Sequence, residues 1–398
     1  MKIGILKEEK KPADKRVALT PDQCKFILEK YPSVEIFVMQ SNIRCYSDNL
    51  YRNKGVNVVN DLSHCDILLG IKEVPTSSLI AGKIYLFFSH TIKGQKYNRK
   101  LLSKMVDLKI QMVDYEVLKD TENKRLIGFG KYAGIVGAYN TFLTYGLKVK
   151  KYNLKPAYNC IDKNEMESQL CKIILQKEKI VVTGKGRVGQ GINEILNKIK
   201  IRKVSKNEFL NNNFNEPIYT HLDYLDYNIR KDEKKSNKSD FYNNPSLYKS
   251  SFMKFAKKAD IFIAGHYYAE GSPYLFSKKD AKNINFNIKV VGDISCDIDG
   301  PVGSTIRSSS IKNPIYGYNP ITEKEDDFQK KGVIAVMAVD NLPCELPKNA
   351  SEDFGNELIK KILPKLLKNT NDILIKNATI CKNGLLTKKF NYLEKFIK

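Results

Sequence analysis

Short apolar runs alternate with helical patterns along the first third of the chain. KIGIL (2–6), VEIFVM (34–39), DILLGI (66–71), IYLFF (84–88) and KIQMVDYE (109–116) are strand-length, and the stretches between them place apolar residues at helical spacing. Such alternation predicts strands in parallel, joined by helical crossovers. The first helix carries its own start signal: Thr20 supplies a hydroxyl cap, Pro21 fits the first helical position, and Gln23 completes a capping box. A second series begins with KIVVTG (179–184) and continues through IRKVS (201–205), DIFIAG (260–265), IKVVGDIS (288–295) and VIAVMAV (333–339). The last long helical pattern, LPKNASEDFGNELIKKILPKLL (346–367), leaves a C-terminal piece too small to fold alone, so it is expected to pack back on the first part. Residues 206–258 are polar, rich in Asn, Lys and Tyr, and read as an insertion. No internal repeat is evident.

The pattern predicts an α/β protein of two Rossmann-like doubly wound domains, one of them discontinuous. A substrate domain is expected over 1–139 and 342–398, and a dinucleotide-binding domain over 140–341 with the insertion near 206–258. A length of 398 residues with 42% hydrophobic content supports two such cores. No window reaches the ~20 apolar residues that cross a bilayer, and the N-terminus lacks the apolar centre of a signal peptide, so a cytoplasmic protein without membrane contact is expected. Eight cysteines are scattered with no C-x-x-C pair, which indicates reduced thiols and no structural metal.

The net charge of +23 raises the question of nucleic acid. Only nine of the 67 basic residues are arginine, and no dense basic block alternates with aromatics. A solvated lysine-rich surface that draws in small anions is the reading adopted, with no nucleic-acid partner.

The clearest motif is KIVVTGKGRVGQG. Gly184, Gly186 and Gly189, with Arg187 and Val188 between the last two, form G-x-G-x-x-G between a strand and an amphipathic helix. The first glycine permits the tight turn, the second lets backbone approach a pyrophosphate, and the third allows close helix–strand packing. The acidic ribose ligand expected about 20 residues on is absent near the end of IRKVS. Ser205 stands there between Lys203 and Lys206, with Glu208 within reach. The cofactor is therefore left as NAD or NADP, with a lean to NADP.

Chemical residues are expected in the other domain. Lys72 and His90 each lie just past an apolar strand, and adjacent strand ends in a parallel sheet open on one crevice. A partly buried lysine among cations drops from a pKa near ~10.4 toward roughly 7–8, where it serves as an acid or base; histidine needs less tuning. Arg16, in the loop before the first helix, and Arg125 are candidates to clamp a carboxylate with their planar forks. Asp293, Asp297 and Asp299 do not fit a calcium loop, because the glycine and terminal glutamate fall out of register.

RVALTP (16–21), GIKEVP (70–75), FFSHTIKGQ (87–95), VDYEVL (113–118), the FG-x-YAG element (129–134), DISCDIDG (293–300) and VDNLPCELPKNASEDFG (339–355) resemble, in order and context, the saccharopine dehydrogenase and alanine dehydrogenase/transhydrogenase superfamily. FFSHTIKGQ and VDYE are most similar to the lysine–ketoglutarate reductase portion of bifunctional lysine-degrading enzymes and to single-chain lysine-forming saccharopine dehydrogenases. The resemblance implies interconversion of saccharopine, NAD(P)+ and water with L-lysine, 2-oxoglutarate and NAD(P)H through an imine. It implies Lys72 and His90 as the acid–base pair, facing each other across the cleft. Arg16 matches a carboxylate-binding position, and Arg125 and Phe129 match a segment that contacts substrate or cofactor. Asp340 and Leu342 match a hinge that approaches the nicotinamide. The domain that would carry saccharopine on to glutamate is not found in these 398 residues. Alanine dehydrogenase is the nearest alternative, with FFSHTIKGQ and DISCDIDG counting against it; a non-catalytic NAD(P)-binding protein is the alternative from another class. Oligomeric state is not legible in the sequence.

Overall fold

The computed structural model describes residues 1–370 and 372–397. The chain forms two compact units, Met1–Phe129 with Pro347–Lys398, and Gly130–Leu346. The first unit begins with six strands: β1 (Lys2–Ile5), β2 (Glu35–Met39), β3 (Asn57–Val59), β4 (Ile67–Leu69), β5 (Ile84–Phe87) and β6 (Gln111–Asp114). They lie in the order β3-β2-β1-β4-β5-β6 and all pair in parallel. Crossovers leave β1 in both directions along the sheet, so the gap beyond β1 and β4 is a topological switch point. The expected capping box forms: Thr20 N donates to Gln23 Oε1 at 2.9 Å and Gln23 N donates to Thr20 Oγ1 at 3.3 Å, opening the helix Pro21–Lys30.

The second unit starts ten residues earlier than the sequence pattern suggested. Residues 130–139 belong to one continuous helix, Gly130–Val149, whose small residues admit a close neighbour. A Cβ on Gly134 would lie 2.0 Å from the Val188 carbonyl oxygen and 3.0 Å from Gly191 Cα, so the helix Arg187–Lys198 rests directly on this backbone. The end of the unit is tied in similarly: the Leu342–Glu345 turn packs on the same helix, with Asn140 Nδ2 donating to Glu345 Oε1 at 2.8 Å.

Ten strands belong to this unit: β7 (Lys179–Thr183), β8 (Arg202–Lys203), β9 (Ile218–Leu222), β10 (Asn228–Arg230), β11 (Tyr248–Ser250), β12 (Ile261–Ala264), β13 (Val290–Asp293), β14 (Ile315–Asn319), β15 (Lys324–Asp326) and β16 (Ile334–Met337). The sheet runs β8-β9-β7-β12-β13-β16-β14-β15, parallel except for β14 and β15, while β10 and β11 pair as a separate antiparallel hairpin. Strand β9 corrects the sequence reading. The pattern assigned residues 206–258 to an insertion, yet β9 lies inside that range and sits directly beside β7. All five of its residues are buried, including Thr220 and His221, so the polar signal came from side chains that the sheet covers on both faces. The inserted segment proper begins at Asp223.

After residue 346 the chain returns to the first unit through the helix Pro347–Lys361, then adds β17 (Thr379–Lys382) antiparallel to β6 and β18 (Leu385–Leu386) antiparallel to β17. Phe354 carries much of this return. Its ring stacks on Phe129 at 4.7 Å and meets Tyr115 edge-on at 5.1 Å, and Phe88 joins the same cluster. Burial of such a ring contributes about 1.5–3 kcal/mol before any ring-geometry gain. All eight cysteines are free thiols. Among the described residues no helix is long and apolar enough to cross a membrane, and no group of His, Cys, Asp and Glu is arranged to hold a metal ion.

Candidate active site

The first unit gathers its ionisable residues at the C-terminal ends of β1, β4, β5 and β6. Glu8 follows β1, and its carboxylate accepts the backbone N–H groups of Ile71 at 2.7 Å and Lys72 at 2.8 Å. It thereby fixes the backbone that leads from β4 into Lys72. Burial pushes the Glu8 carboxyl up to about 7, nearby Asp14 adds to the rise, and the two amides oppose it.

Lys72 and His90 emerge from adjacent strands, since Phe88 N donates to Ile71 O at 3.0 Å just past the β4–β5 ladder. Lys72 is half-buried, and its ammonium makes no hydrogen bond or ion pair with any described residue. Burial lowers its pKa, and the charge of Arg16 lowers it further. Both effects disfavour the charged ammonium and make the amine easier to deprotonate.

His90 is held from three sides. Its Nδ1 lies 2.7 Å from Glu73 Oε1, its backbone oxygen accepts from Asn98 Nδ2 at 3.1 Å, and its backbone is left-handed at φ 53°. A histidine rarely takes that conformation, and doing so costs on the order of 1 kcal/mol or more. With Glu73 accepting the Nδ1 proton, the neutral ring leaves Nε2 as its base. Glu73 also takes Lys10 Nζ at 2.7 Å. Burial alone would push Glu73 up, but the hydrogen bonds from His90 and Lys10 prevail and hold it down at about 2. Asp114, at the end of β6, anchors the adjoining turn by accepting Ser89 N at 3.2 Å and the Ser89 hydroxyl. Burial raises the Asp114 carboxyl to about 6.

Arg16 is buried and paired with Asp14, through Nε at 3.0 Å and Nη2 at 2.6 Å, and its guanidinium lies 4.1 Å from the centre of the Phe129 ring. One edge of its fork is thus committed within the protein, and Phe129 serves as the wall against which Arg16 stacks. Arg125 is half-exposed and pairs with Glu116 at 2.9 Å, whose backbone N–H donates to Asp114.

The dinucleotide motif folds as its spacing suggests. Gly184 has φ +88°, and a Cβ on Gly189 would fall 1.9 Å from the Gly184 carbonyl oxygen, which only glycine permits. Gly186 caps the helix Arg187–Lys198 without a side-chain bond, so the helix opens with backbone N–H groups available to an anion. Val188 packs inward and Arg187 is the first helical residue. His221 braces the turn from β9, with Nε2 2.7 Å from Gly184 O and Nδ1 3.1 Å from Asn193 Oδ1. His266, fully buried after β12, has Nδ1 2.8 Å from Thr183 Oγ1, and burial lowers its pKa to about 4. These residues fit a bound dinucleotide: Gly184 and Gly189 have no room for a Cβ against the backbone, while the Cβ direction at Gly186, at the helix N-terminus, faces open space.

Three other expected cofactor residues lie outside the glycine turn itself. Ser205 follows the edge strand β8, two strands from β7, and its hydroxyl caps the short helix Lys206–Asn211 by accepting Glu208 N at 3.2 Å. The position beside the glycine turn belongs instead to Asp223, the residue after β9. Leu342 is buried in the core against Gly137, and Asp340 is exposed in the turn before it. Sequence reasoning missed Glu8, Glu73 and Asp223. Glu73 had a signal, since it follows Lys72 directly; Glu8 was hidden in the charged run KEEKK.

Two parallel-stranded nucleotide-type folds, one with a glycine turn and one with a lysine and a carboxylate-held histidine at its switch point, define the chain as a two-unit α/β protein of the dehydrogenase type. The model of the alanine dehydrogenase/PNT N-terminal domain matches residues 4–136. Across 100% of its length the chain is 29% identical to alpha-aminoadipic semialdehyde synthase of Arabidopsis thaliana, and it spans only 41% of that protein. It is 26% identical to saccharopine dehydrogenase [NAD(+), L-lysine-forming] of Candida albicans, covering 93% of this chain and 94% of that one. The solved structure of an L-alanine dehydrogenase aligns over 100% of both chains with a TM-score of 0.66 at 15% identity, which shows the shared fold. The resemblance expected from the sequence is therefore borne out as a similarity to the alanine dehydrogenase/PNT N-terminal domain over residues 4–136 and to the saccharopine-linked relatives over nearly the whole chain.

Proposed function

We propose that this protein is a nicotinamide-dependent oxidoreductase of lysine metabolism that interconverts saccharopine, the oxidised cofactor and water with L-lysine, 2-oxoglutarate and the reduced cofactor. The observation that carries this reading is the pair at the ends of β4 and β5: a half-buried lysine free of ion pairs, beside a histidine whose tautomer is set by Glu73. The relatives named for lysine-forming saccharopine dehydrogenase support it over nearly their full length.

A nicotinamide cofactor, held at the Gly184–Gly189 turn, would supply hydride transfer to and from the carbon that joins the glutarate unit to the lysine nitrogen. The protein's own residues move the protons. His90 Nε2 takes the proton from the secondary amine as the C=N bond forms. As water adds to the imine carbon, Lys72 takes one of its protons and His90 returns its proton to nitrogen; Lys72 then gives its proton to nitrogen and accepts the carbinolamine hydroxyl proton as C=O forms and the C–N bond breaks, releasing lysine and 2-oxoglutarate. Arg16, oriented by Asp14 and stacked on Phe129, is the guanidinium proposed to donate to a substrate carboxylate. The helix at Arg187 and the Gly184–Gly189 turn hold the pyrophosphate. The proposed setting is the cytoplasm.

The test is a spectrophotometric assay at the reduced-nicotinamide band, with lysine plus 2-oxoglutarate and with ammonia plus pyruvate. Cofactor oxidation with only the first pair is the expected result. Turnover of ammonia and pyruvate would reassign the protein as an alanine dehydrogenase, and silence with both would leave a nucleotide-binding protein without this chemistry.

A further inference from the structure

We propose that the groove between the turn Thr76–Ser78 and the helix Arg99–Asp107 is an effector site for a small phosphate-bearing anion, and that filling it acts on the Glu73–His90 hydrogen bond from both ends. The binding is independent of the proposed reaction; its effect on turnover rests on that reading of Lys72 and His90.

The helix Arg99–Asp107 divides its residues by face. Leu101, Leu102 and Met105 are buried in the core of the first unit, which leaves Arg99, Lys100, Ser103, Lys104 and Asp107 outward at the spacing of one helical face. A polar outer face is ordinary by itself. What sets this one apart is a cavity of about 710 Å³ that these residues line together with Thr76 and Ser77. That volume is in the range of small-molecule sites, roughly 300–1,000 Å³.

The charge of the cavity wall is unbalanced. The side chains of Arg99, Lys100 and Lys104 make no hydrogen bond or ion pair with any described residue, and Asp107, the carboxylate on the same wall, pairs with none of them. Elsewhere on the surface, lysines meet carboxylates: Lys330 Nζ lies 2.6 Å from Asp326 and Lys163 Nζ lies 3.0 Å from Glu167. The helix also begins with two cations and no acidic residue, at the end where its backbone already places positive charge, and an anion in the groove offsets both. The hydroxyls of Thr76, Ser77 and Ser103 make no hydrogen bond with any described residue, so they are available as donors. A phosphate group carries about two negative charges and three acceptor oxygens, and matches three cations and three hydroxyls better than a lone carboxylate does.

The two walls continue the two segments that carry the proposed acid–base pair. Thr76 follows Lys72 and Glu73 after only Val74 and Pro75, and Glu73 Oε1 lies 2.7 Å from His90 Nδ1. The opposite wall starts at Arg99. The residue before it, Asn98, makes no side-chain cap to its helix and donates Nδ2 to His90 O at 3.1 Å. An anion that binds both walls therefore bears on the separation of Glu73 and His90, the contact that sets the tautomer of the histidine. Neither Lys72 nor His90 lines the groove, so effector and substrate occupy separate places.

Isothermal titration calorimetry of inorganic pyrophosphate into the whole chain, with the dinucleotide site saturated by reduced cofactor, tests the binding. The wild type should bind pyrophosphate, and the double variant Arg99→Ala with Lys104→Ala should bind it about tenfold or more weakly; circular dichroism confirms that the variant is folded. Histidine NMR reads the coupling without turnover. The chain has four histidines, so the His90 imidazole is assigned by comparison with His90→Asn. Pyrophosphate should shift the His90 resonance in the wild type and leave it in place in the double variant. Absent binding, or equal affinity in wild type and double variant, would overturn the site, and binding that leaves the wild-type His90 resonance unmoved would overturn the coupling. Both readouts stand if the chain fails to turn over lysine and 2-oxoglutarate, and turnover without pyrophosphate binding would remove this inference while keeping the proposed reaction.

Discussion

Both units flank their first strand, β1 or β7, with strands on either side and arm the crevice there in different ways, although β2 adjoins β1 while β9, not β8, adjoins β7. Past β1 of the first unit the chain runs through the charged stretch KEEKKPADKR and builds a network of side chains: Glu8 clamps the backbone before Lys72, Glu73 orients His90, and Asp14 holds Arg16. Past β7 of the second unit the chain turns within a few residues into a helix, and the site is made of backbone, with Gly184 at φ +88° and no room for a Cβ at Gly189. The contrast shows what a doubly wound sheet supplies and what it leaves to sequence. The crevice is common to both; proton chemistry needs titratable side chains held at defined angles, whereas pyrophosphate binding needs exposed N–H groups and therefore the absence of side chains.

Lys72→Met removes the proposed proton carrier of the first unit while sparing the second. Turnover should fall by about 10²–10⁴-fold, with NAD(P)H binding by fluorescence unchanged; retained turnover would dissociate the chemistry from Lys72. Gly189→Ala makes the reciprocal cut. The added methyl meets the Gly184 carbonyl at 1.9 Å, so cofactor affinity should drop at least about tenfold in the same titration, and normal affinity would show that the turn relaxes freely.

Glu345→Gln probes the core of the second unit. Burial raises the Glu345 carboxyl to about 8, while the hydrogen bond from Asn140 opposes the rise. The folded state therefore keeps a proton that the unfolded chain has lost above its ordinary carboxylate pKa. The stability this proton contributes is complete below pH ~4.5 and fades as pH rises toward 8. The glutamine variant removes that loss, so urea unfolding should show it about 1–3 kcal/mol more stable than wild type near pH 9, with the gap closing in acid. A constant gap across pH would mean that Glu345 does not titrate. The smallest effect is expected from Thr20→Ala in the first unit, which deletes the helix cap and should cost about 1 kcal/mol in the same measurement, with cofactor binding unaltered.

Much of the scaffold was legible because its signals are local. The capping box at Thr20–Gln23, the strand runs and the glycine turn each depend on residues within one turn or strand of each other, and each forms as expected. Lys72 and His90 were visible as polar residues closing apolar runs. What escaped was whatever depended on which strands become neighbours. β9 hid because IYTHL carries Thr and His into a fully buried strand, where the alternation of buried and exposed positions vanishes. Ser205 looked like the ribose position because spacing from the glycines assumes that the next strand lies beside β7, whereas β8 sits at the edge.

By itself the sequence determined the α/β class, the discontinuous first unit, the glycine turn and the placement of Lys72 and His90 just past apolar strands, since each follows from local propensity or periodicity. Tertiary structure alone decided the partners: that Glu8 lies under Lys72, that Glu73 sets the tautomer of His90, that one edge of Arg16 belongs to Asp14, and that Asp223 stands next to the glycine turn. Those relations are fixed by strand order and burial, which bring together residues far apart in the chain and which no local pattern encodes.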